Sequence, residues 1–142
     1  MGCMVFRGEK VNGKILVVDD DELIRTTLSL FLEKNGFESE VARDAESALA
    51  LMKRAGYDVV VTDYQMPGMS GLELIGQIRV ISPSSAVILI SGCMDETLFE
   101  SCGADLCLRK PFAVDVFMES VSRVLGARSR IRYNRPSSTK LR

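Results

Sequence analysis

The sequence predicts an α/β fold with a parallel sheet that helices cover on both faces. Five short apolar runs alternate with segments whose apolar residues recur at helical spacing, an order typical of successive βα units. The run from Asp58 to Thr62 contains three consecutive valines, as in a strand buried on both faces. Acidic residues end two of the runs, at Asp19 and Asp63. Ligand crevices of open parallel sheets lie at such strand ends, so the pattern also predicts where a site should be.

The first half of the chain predicts two βα units and a third strand. Leu28 and Leu32 lie at helical spacing after the first strand, and Asn35-Gly36 is a signal for a helix C-terminus. Asp44 is a candidate N-cap of the second helix. The predicted elements are a strand at about Lys14–Asp19, a helix at Glu22–Asn35, a strand at Glu38–Ala42, a helix from Ala45 to Gly56 and a strand at Asp58–Thr62.

The second half predicts the rest of a (βα)5 pattern. Ser70 and Glu73 have the spacing of a capping box, and Ser82-Pro83 should end the helix that they open. Glycines are expected to end the last two helices, at Gly103 and Gly126. The predicted elements are a helix from Ser70 to about Ile81, a strand at Ala86–Ile90, a helix at Glu96–Ser101, a strand at Leu106–Arg109 and a helix at Ala113–Leu125.

Composition excludes several classes of protein. The 142 residues are 46% hydrophobic and 26% charged, which is typical of one globular domain. No run approaches the roughly 18 to 20 apolar residues of a membrane span, so we expect no membrane partner. The chain has no histidine, which rules out histidine-based catalysis and a phosphohistidine carrier. Its four cysteines contain no CxxC pair, and we expect reduced thiols and a cytoplasmic protein.

Charge is divided unevenly along the chain. Residues 127–142 carry six basic side chains and no acidic one, whereas the rest of the chain carries twelve basic against 19 acidic side chains. An acidic body with a basic, serine-containing extension is typical of a folded domain with a mobile tail. We therefore expect a disordered leader at 1–12, one folded domain at 13–126 and a basic, disordered tail at 127–142.

Polar residues should converge at the carboxyl edge of the predicted sheet. Asp19 and Asp20 follow the first strand, Asp63 the third, Ser91 the fourth and Lys110 the fifth. Carboxylates that are held close together in a partly buried site repel one another, and a divalent cation and a lysine relieve that repulsion. Magnesium prefers such oxygen ligands and is often bound by one or two carboxylates plus a phosphate. The sequence therefore predicts a Mg²⁺ site that can accept a phosphoryl group.

These residues resemble the receiver domains of two-component response regulators. The matching fragments cover about Lys14 to Gly126; they are Asp19-Asp20, Asp63 to Gly71 with its Met-Pro-Gly turn, Ser91-Gly92 and Lys110-Pro111-Phe112. The resemblance implies a doubly wound five-stranded sheet of order 2-1-3-4-5, the flavodoxin or CheY-like arrangement, for which a member of this family is a standard example.

The resemblance also implies a role for each site residue. Asp63 would be the phosphoacceptor, attacking the phosphohistidine of a sensor histidine kinase or a phosphotransfer protein. Mg²⁺ would be held by Asp20, Asp63 and the backbone carbonyl of Gln65, with Asp19 assisting through water. The Ser91 hydroxyl and the Lys110 ammonium would contact the phosphoryl group, and the Lys110-Pro111 bond is a candidate for the cis isomer.

Two departures from the family pattern lie close together. Cys107 occupies the position of the usual aromatic switch residue. Ser91 and Lys110 are 19 positions apart, about three fewer than the family pattern leads us to expect, so the fourth helix should be short or irregular. We therefore expect the output to differ from the common surface of the fourth helix, fifth strand and fifth helix.

The function that these observations predict is a stand-alone receiver, acting as a phosphorylation-dependent switch or phosphorelay intermediate on an unknown downstream protein. It would catalyse only its own phosphorylation and dephosphorylation. A receiver that belongs to a longer regulator is the alternative. A phosphatase of the haloacid dehalogenase type would need a second acid where Gln65 stands. Nucleic-acid binding through the basic tail is opposed by the acidic body.

Overall fold

The computed structural model describes residues 13–92 and 96–133, without the side chains of 96, 98, 99 and 128–133. Within these residues five strands alternate with five helices, as the sequence predicts. The elements are β1 (Lys14–Val18), α1 (Glu22–Lys34), β2 (Glu38–Ala42), α2 (Ala45–Met52), β3 (Val59–Asp63), α3 (Gly71–Ile81), β4 (Ala86–Ser91), α4 (Glu96–Ser101), β5 (Leu106–Arg109) and α5 (Val114–Tyr133). The predicted leader lies outside the described residues.

The five strands form one parallel sheet in the order β2-β1-β3-β4-β5, which confirms the predicted topology. Chain order reverses between β1 and β3, where Val18 pairs with Thr62. Their carboxyl ends therefore open side by side at the topological switch point, which is where such sheets bind ligands.

Alternate residues of the strands face two separate cores. Leu16 and Val60 point to the face that α2 and α3 cover, together with Leu74 and Ile78. The residues next to them in β1 and β3 point to the other face, which α1 and α5 cover with a second cluster. Because both faces are buried, every residue of β3 is buried, and the run of valines suits that position.

Side chains cap the helices where the sequence predicts. Asp21 is the N-cap of α1, since its carboxylate accepts the Leu23 N–H at 2.9 Å, and this gives it a capping role. Asp44 caps α2 in the same way. Ser70 and Glu73 form the reciprocal capping box of α3.

Two predicted helix ends were wrong. The predicted stop at Gly56 does not hold, because α2 ends at Met52 and the chain continues through a turn. The predicted stop at Gly126 was also wrong, since α5 continues to Tyr133 and takes in the first part of the predicted tail. Gly126 does not have the positive φ of Gly36, and good helix formers follow it, so a glycine in that place costs only about 1 kcal/mol. Residues 134–142 lie outside the described part.

A network of hydrogen bonds ties α3 to the segment between α4 and β5. The Arg79 guanidinium donates hydrogen bonds to the backbone oxygens of Ser85 and Gly103 and contacts the Asp105 carboxylate at 3.0 Å. Asp105 in turn accepts the Val87 N–H of β4 at 2.8 Å. One arginine therefore holds the α4–β5 connection against the sheet.

Replacing Arg79 by alanine should lower the free energy of unfolding by about 1–3 kcal/mol, because several hydrogen bonds lose their donor together. Urea unfolding measures the loss, and amide exchange should accelerate at residues 103–107. Arg43→Ala is the control, since the Arg43 side chain is 78% exposed and lies 4.0 Å from Asp44. Equal stability of the two variants would contradict this role for Arg79.

No helix in the described ranges is both long enough and apolar enough to cross a membrane.

Candidate functional site

Three carboxylates meet at the carboxyl ends of β1 and β3. One carboxylate oxygen from each of Asp19, Asp20 and Asp63 lies within 4.8 Å of the other two. Asp63 is the last residue of β3, while Asp19 and Asp20 follow β1 directly. Asp19 and Asp63 are buried and Asp20 is exposed, so the cluster opens to solvent on the Asp20 side. The structure thus brings together the three acids that the sequence predicts.

Lys110 lies against Asp63, one of the two buried acids of this cluster. Its Nζ atom is 3.2 Å from Oδ1 of Asp63, and the Asp63 side chain is only 9% exposed. Lys110 follows β5, and its N–H donates to the Ser91 carbonyl at 2.9 Å, which places it beside the end of β4. The Lys110-Pro111 peptide bond is cis, the isomer for which the sequence analysis made it a candidate. The ammonium group therefore faces the carboxylate that the sequence singles out as the acceptor.

Backbone contacts hold Asp19 in place. Its Oδ1 accepts the N–H of Asp21 at 2.9 Å, and its own N–H donates to the Ala42 carbonyl at 3.1 Å. Arg25 donates to the Asp19 carbonyl oxygen at 2.9 Å from the next turn of chain. These contacts fix the backbone of Asp19 and one of its two carboxylate oxygens.

Ser91 and Gln65 lie at the margin of the cluster. Ser91 is buried and ends β4, one residue beyond the pair of Asp63 with Ile90. Gln65 lines a shallow depression together with Asp20 and Pro67, so its segment borders the open side of the acids. Both residues therefore lie near the acidic cluster.

Gly71 is a site residue whose role the sequence reasoning missed. A Cβ atom at this position would lie 2.3 Å from the Asp63 carbonyl oxygen and 2.9 Å from Cα of Tyr64. The Gly71 N–H also donates to the Tyr64 carbonyl at 2.9 Å. The start of α3 is thus packed directly on the backbone that carries Asp63. The motif contains this glycine, but only the packing reveals that no side chain fits there.

The two buried acids of the cluster hold their protons more tightly than an exposed aspartate does. Burial raises the pKa of Asp19 to about 6. The hydrogen bond from the Asp21 N–H lowers this pKa, and the negative charge of Asp63 raises it. Burial also raises the pKa of Asp63, which Lys110 opposes. An acidic cluster with this repulsion has a strong electrostatic reason to take up a cation.

The raised pKa of Asp19 predicts a pH-dependent stability of the metal-free protein. Between about pH 4 and pH 6, Asp19 keeps its proton in the folded state but has lost it in the unfolded state. The free energy of unfolding should therefore fall as the pH rises through that window. Asp19→Asn should therefore stabilise the metal-free protein at pH 7 to 8, by up to about 3 kcal/mol, and should have little effect below pH 4. Urea unfolding at several pH values, with a chelator present, measures the difference. A constant difference across the range would contradict the assignment.

The residues present fit a Mg²⁺ ion. Oxygen donors are the ligands that magnesium takes, and the spacing of the three carboxylates within 4.8 Å allows them to share one ion. Asp20 and Asp63 would hold it, with the Gln65 carbonyl, and Asp19 would contribute through water. The open side at Asp20 leaves room for the waters that magnesium keeps.

The predicted departures from the family pattern are present. Helix α4 has only six residues, Glu96–Ser101, which confirms the prediction of a short fourth helix. Cys107 is partly buried on β5, opposite Leu89 of β4. Its sulfur lies 3.5 Å from that of Cys102.

Known proteins are similar to this chain over most of the described fold. The family model of the response regulator receiver domain matches residues 15–122. The sensory transduction protein RegX3 of Mycolicibacterium smegmatis is 35% identical over 114 residues, which cover 78% of this chain and 50% of that protein. A cyclic di-GMP phosphodiesterase of Thermotoga maritima is 29% identical over 80% of this chain and 31% of its own length. The chain thus spans half the length of these relatives or less.

Solved structures share the fold. The response regulator TrrA of Thermotoga maritima, in complex with Mg²⁺-BeF, is 36% identical with a TM-score of 0.73, covering 79% of this chain and 98% of that one. The chemotaxis response regulator CheY4 of Vibrio cholerae is 30% identical with a TM-score of 0.74, covering 82% of this chain and 100% of that one. With the family match over most of its length and the acidic cluster in place, the chain belongs to the response regulator receiver domains of two-component systems.

Proposed function

We propose that the protein is a phosphorylation-dependent signalling switch in which Asp63 accepts a phosphoryl group from a histidine of a sensor kinase or phosphotransfer protein. The observation that carries the proposal is the position of the Asp63 carboxylate, buried between two further acids and 3.2 Å from the Lys110 ammonium. This carboxylate belongs to a cluster that opens to solvent at Asp20, and the Lys110 ammonium beside it can offset the charge of a phosphoryl group. The Mg²⁺-BeF bound by the related TrrA supports a cation at this place.

The chemistry requires one bond to form and one to break. A carboxylate oxygen of Asp63 attacks the phosphorus, the bond to the donor nitrogen breaks, and its electron pair stays on the leaving imidazole. Bound Mg²⁺ would offset the negative charge of the phosphoryl oxygens. Lys110 would hold one of those oxygens once the Asp63 carboxylate has become an acyl phosphate, and the Ser91 hydroxyl would donate a hydrogen bond to another.

The protein should act on itself and turn over no separate substrate. Phosphatases of the haloacid dehalogenase type, which use an aspartate nucleophile, contain the motif Asp-x-Asp. The second acid of the motif protonates the leaving group. Gln65 stands at that position here and supplies no proton. We therefore expect an acyl phosphate that persists until water or a partner removes it.

The signal would pass to an unknown downstream protein through contacts of the receiver surface. With α4 reduced to six residues, the usual surface of α4, β5 and α5 is altered, which supports a different output contact. The full reading frame distinguishes a stand-alone receiver from the head of a longer regulator, such as the relative in which the match spans only 50% of the length.

The test is incubation with a small acyl phosphate and Mg²⁺, followed by intact mass. Wild type should gain one phosphoryl group, a chelator should prevent the gain, and Asp63→Asn should show none. Asp58→Asn is the matched control, since Asp58 lies at the opposite end of the same strand and accepts the Lys14 N–H at 2.8 Å. Labelling that persists in Asp63→Asn would overturn the assignment.

A further inference from the structure

Two thiols lie in contact at the edge of the sheet next to α4. The sulfurs of Cys102 and Cys107 are 3.5 Å apart, and neither is in a disulfide. Cys102 follows α4 directly and is 8% exposed, while Cys107 lies on β5 and is partly exposed. A disulfide needs sulfurs at about 2 Å, so the two sulfurs would have to approach each other by about 1.5 Å.

The chain between the two cysteines already has the shape of a closed loop. Gly103 takes a positive φ of 83°, which turns the chain back after α4. Arg79 holds both Gly103 and Asp105, as described above, and the Asp105 N–H donates to the Val87 carbonyl at 2.8 Å. The main entropic cost of a new disulfide is that of closing the loop between its two cysteines. The fold already holds this loop closed, so little of that cost remains when the bond forms.

We propose that Cys102 and Cys107 are an oxidation site that closes reversibly into an intramolecular disulfide when the protein meets a small disulfide oxidant such as oxidised glutathione. The bond would join the C-terminal end of α4 to β5 and so restrict the α4–β5 connection. This inference goes beyond the proposed function and does not depend on it, since it needs no phosphoryl group.

The reaction is two successive exchanges. Cys107, the more exposed of the two, attacks one sulfur of the oxidant as a thiolate, forms a mixed disulfide and releases one reduced thiol. Cys102 then attacks the sulfur of Cys107, forms the internal bond and releases the second reduced thiol. Two protons and two electrons leave the pair, and the disulfide of the oxidant is reduced to two thiols.

The exchange should be slow at neutral pH. Burial raises the pKa of the Cys107 thiol, and the contact with Cys102 raises it further, so little thiolate is present. The position of equilibrium, which depends on how well the fold holds the sulfurs together, is therefore a better test than the rate.

The experiment equilibrates the full chain in glutathione buffers of graded potential, native and in urea, and then quenches it with acid. Intact mass should show the loss of two hydrogen atoms. Digestion by a protease that cleaves before aspartate separates the two cysteines at Asp105, and it leaves Cys93 in a different fragment from both. The expected product is fragment 95–104 linked to fragment 105–114.

The fold should favour this bond. We expect the equilibrium constant for the Cys102–Cys107 disulfide to be at least about tenfold larger in the native protein than in urea, because the native chain raises the effective concentration of one thiol near the other. A constant no larger in the native protein, or a linkage to Cys3 or Cys93 instead, would overturn the proposal.

Single variants give an independent check. Cys102→Ala and Cys107→Ala should each abolish the loss of two hydrogens, and the matched control Cys93→Ala should retain it. Circular dichroism verifies that each variant folds. If a variant of the pair does not fold, the linked fragments of the wild type decide the question alone.

Discussion

Gly71→Ala is expected to destabilise the domain by about 3 kcal/mol and to remove most phosphoryl acceptance at Asp63. The new methyl group would lie 2.3 Å from the Asp63 carbonyl oxygen, which is closer than a Cβ atom approaches a neighbour in real proteins. The carbonyl oxygen is a backbone atom, so it cannot move aside as the end of a flexible side chain could. Either α3 or the end of β3 must therefore move. Moving the end of β3 displaces the carboxylate from Lys110, so stability and acceptance should fall together.

The measurements are urea unfolding and the yield of acyl phosphate by intact mass. Gly76→Ala is the matched control, because this glycine lies in the interior of the same helix and a Cβ there meets nothing within 4 Å. That variant should gain about 0.5–1 kcal/mol, since alanine is the better helix former, and should accept phosphoryl normally. A Gly71→Ala protein that equals wild type in both measurements would show that the close approach is absent in solution.

Lys110→Ala is expected to slow phosphoryl uptake from a small acyl phosphate by about 10²–10³-fold, the usual loss when one positioned donor is removed from a developing charge. The ammonium lies 3.2 Å from Asp63, and its removal leaves three clustered carboxylates with no cation on the buried side. It should also raise the pKa of Asp63 further, because the charge and the hydrogen bond of Lys110, which lower that pKa more than the Tyr64 backbone does, are lost.

The uptake rate is measured by intact mass at several times and several pH values. Lys14→Ala is the matched control, since Lys14 is a similarly exposed lysine that contacts Glu38 at 3.7 Å at the opposite end of the sheet. It should leave the uptake rate unchanged. Equal rates for the two lysine variants would mean that the contact of Lys110 with Asp63 has no part in the transfer.

Local signals account for most of what could be predicted about the fold. The valines of β3, the caps at Asp44 and Ser70 and the glycine turn after α1 each act over a few residues, so a single sequence reveals them. The ends of α2 and α5 were predicted wrongly. At both, a glycine was read as a stop, although a glycine ends a helix only where the surrounding chain turns, and the surroundings are set by packing.

The sequence alone determined which residues would line the carboxyl edge of the sheet, because parallel strands place their C-terminal ends together whatever their exact register. Asp19, Asp20, Asp63 and Lys110 were named on that basis, and the structure brings them together.

How close these groups come, and how that closeness changes their properties, depends on the packing of the whole fold. The raised pKa of Asp19, the missing space at Gly71 and the contact of Cys102 with Cys107 depend on segments that different elements bring within a few ångströms. Electrostatic and steric energies change steeply over such distances, and sequence spacing carries no information at that scale.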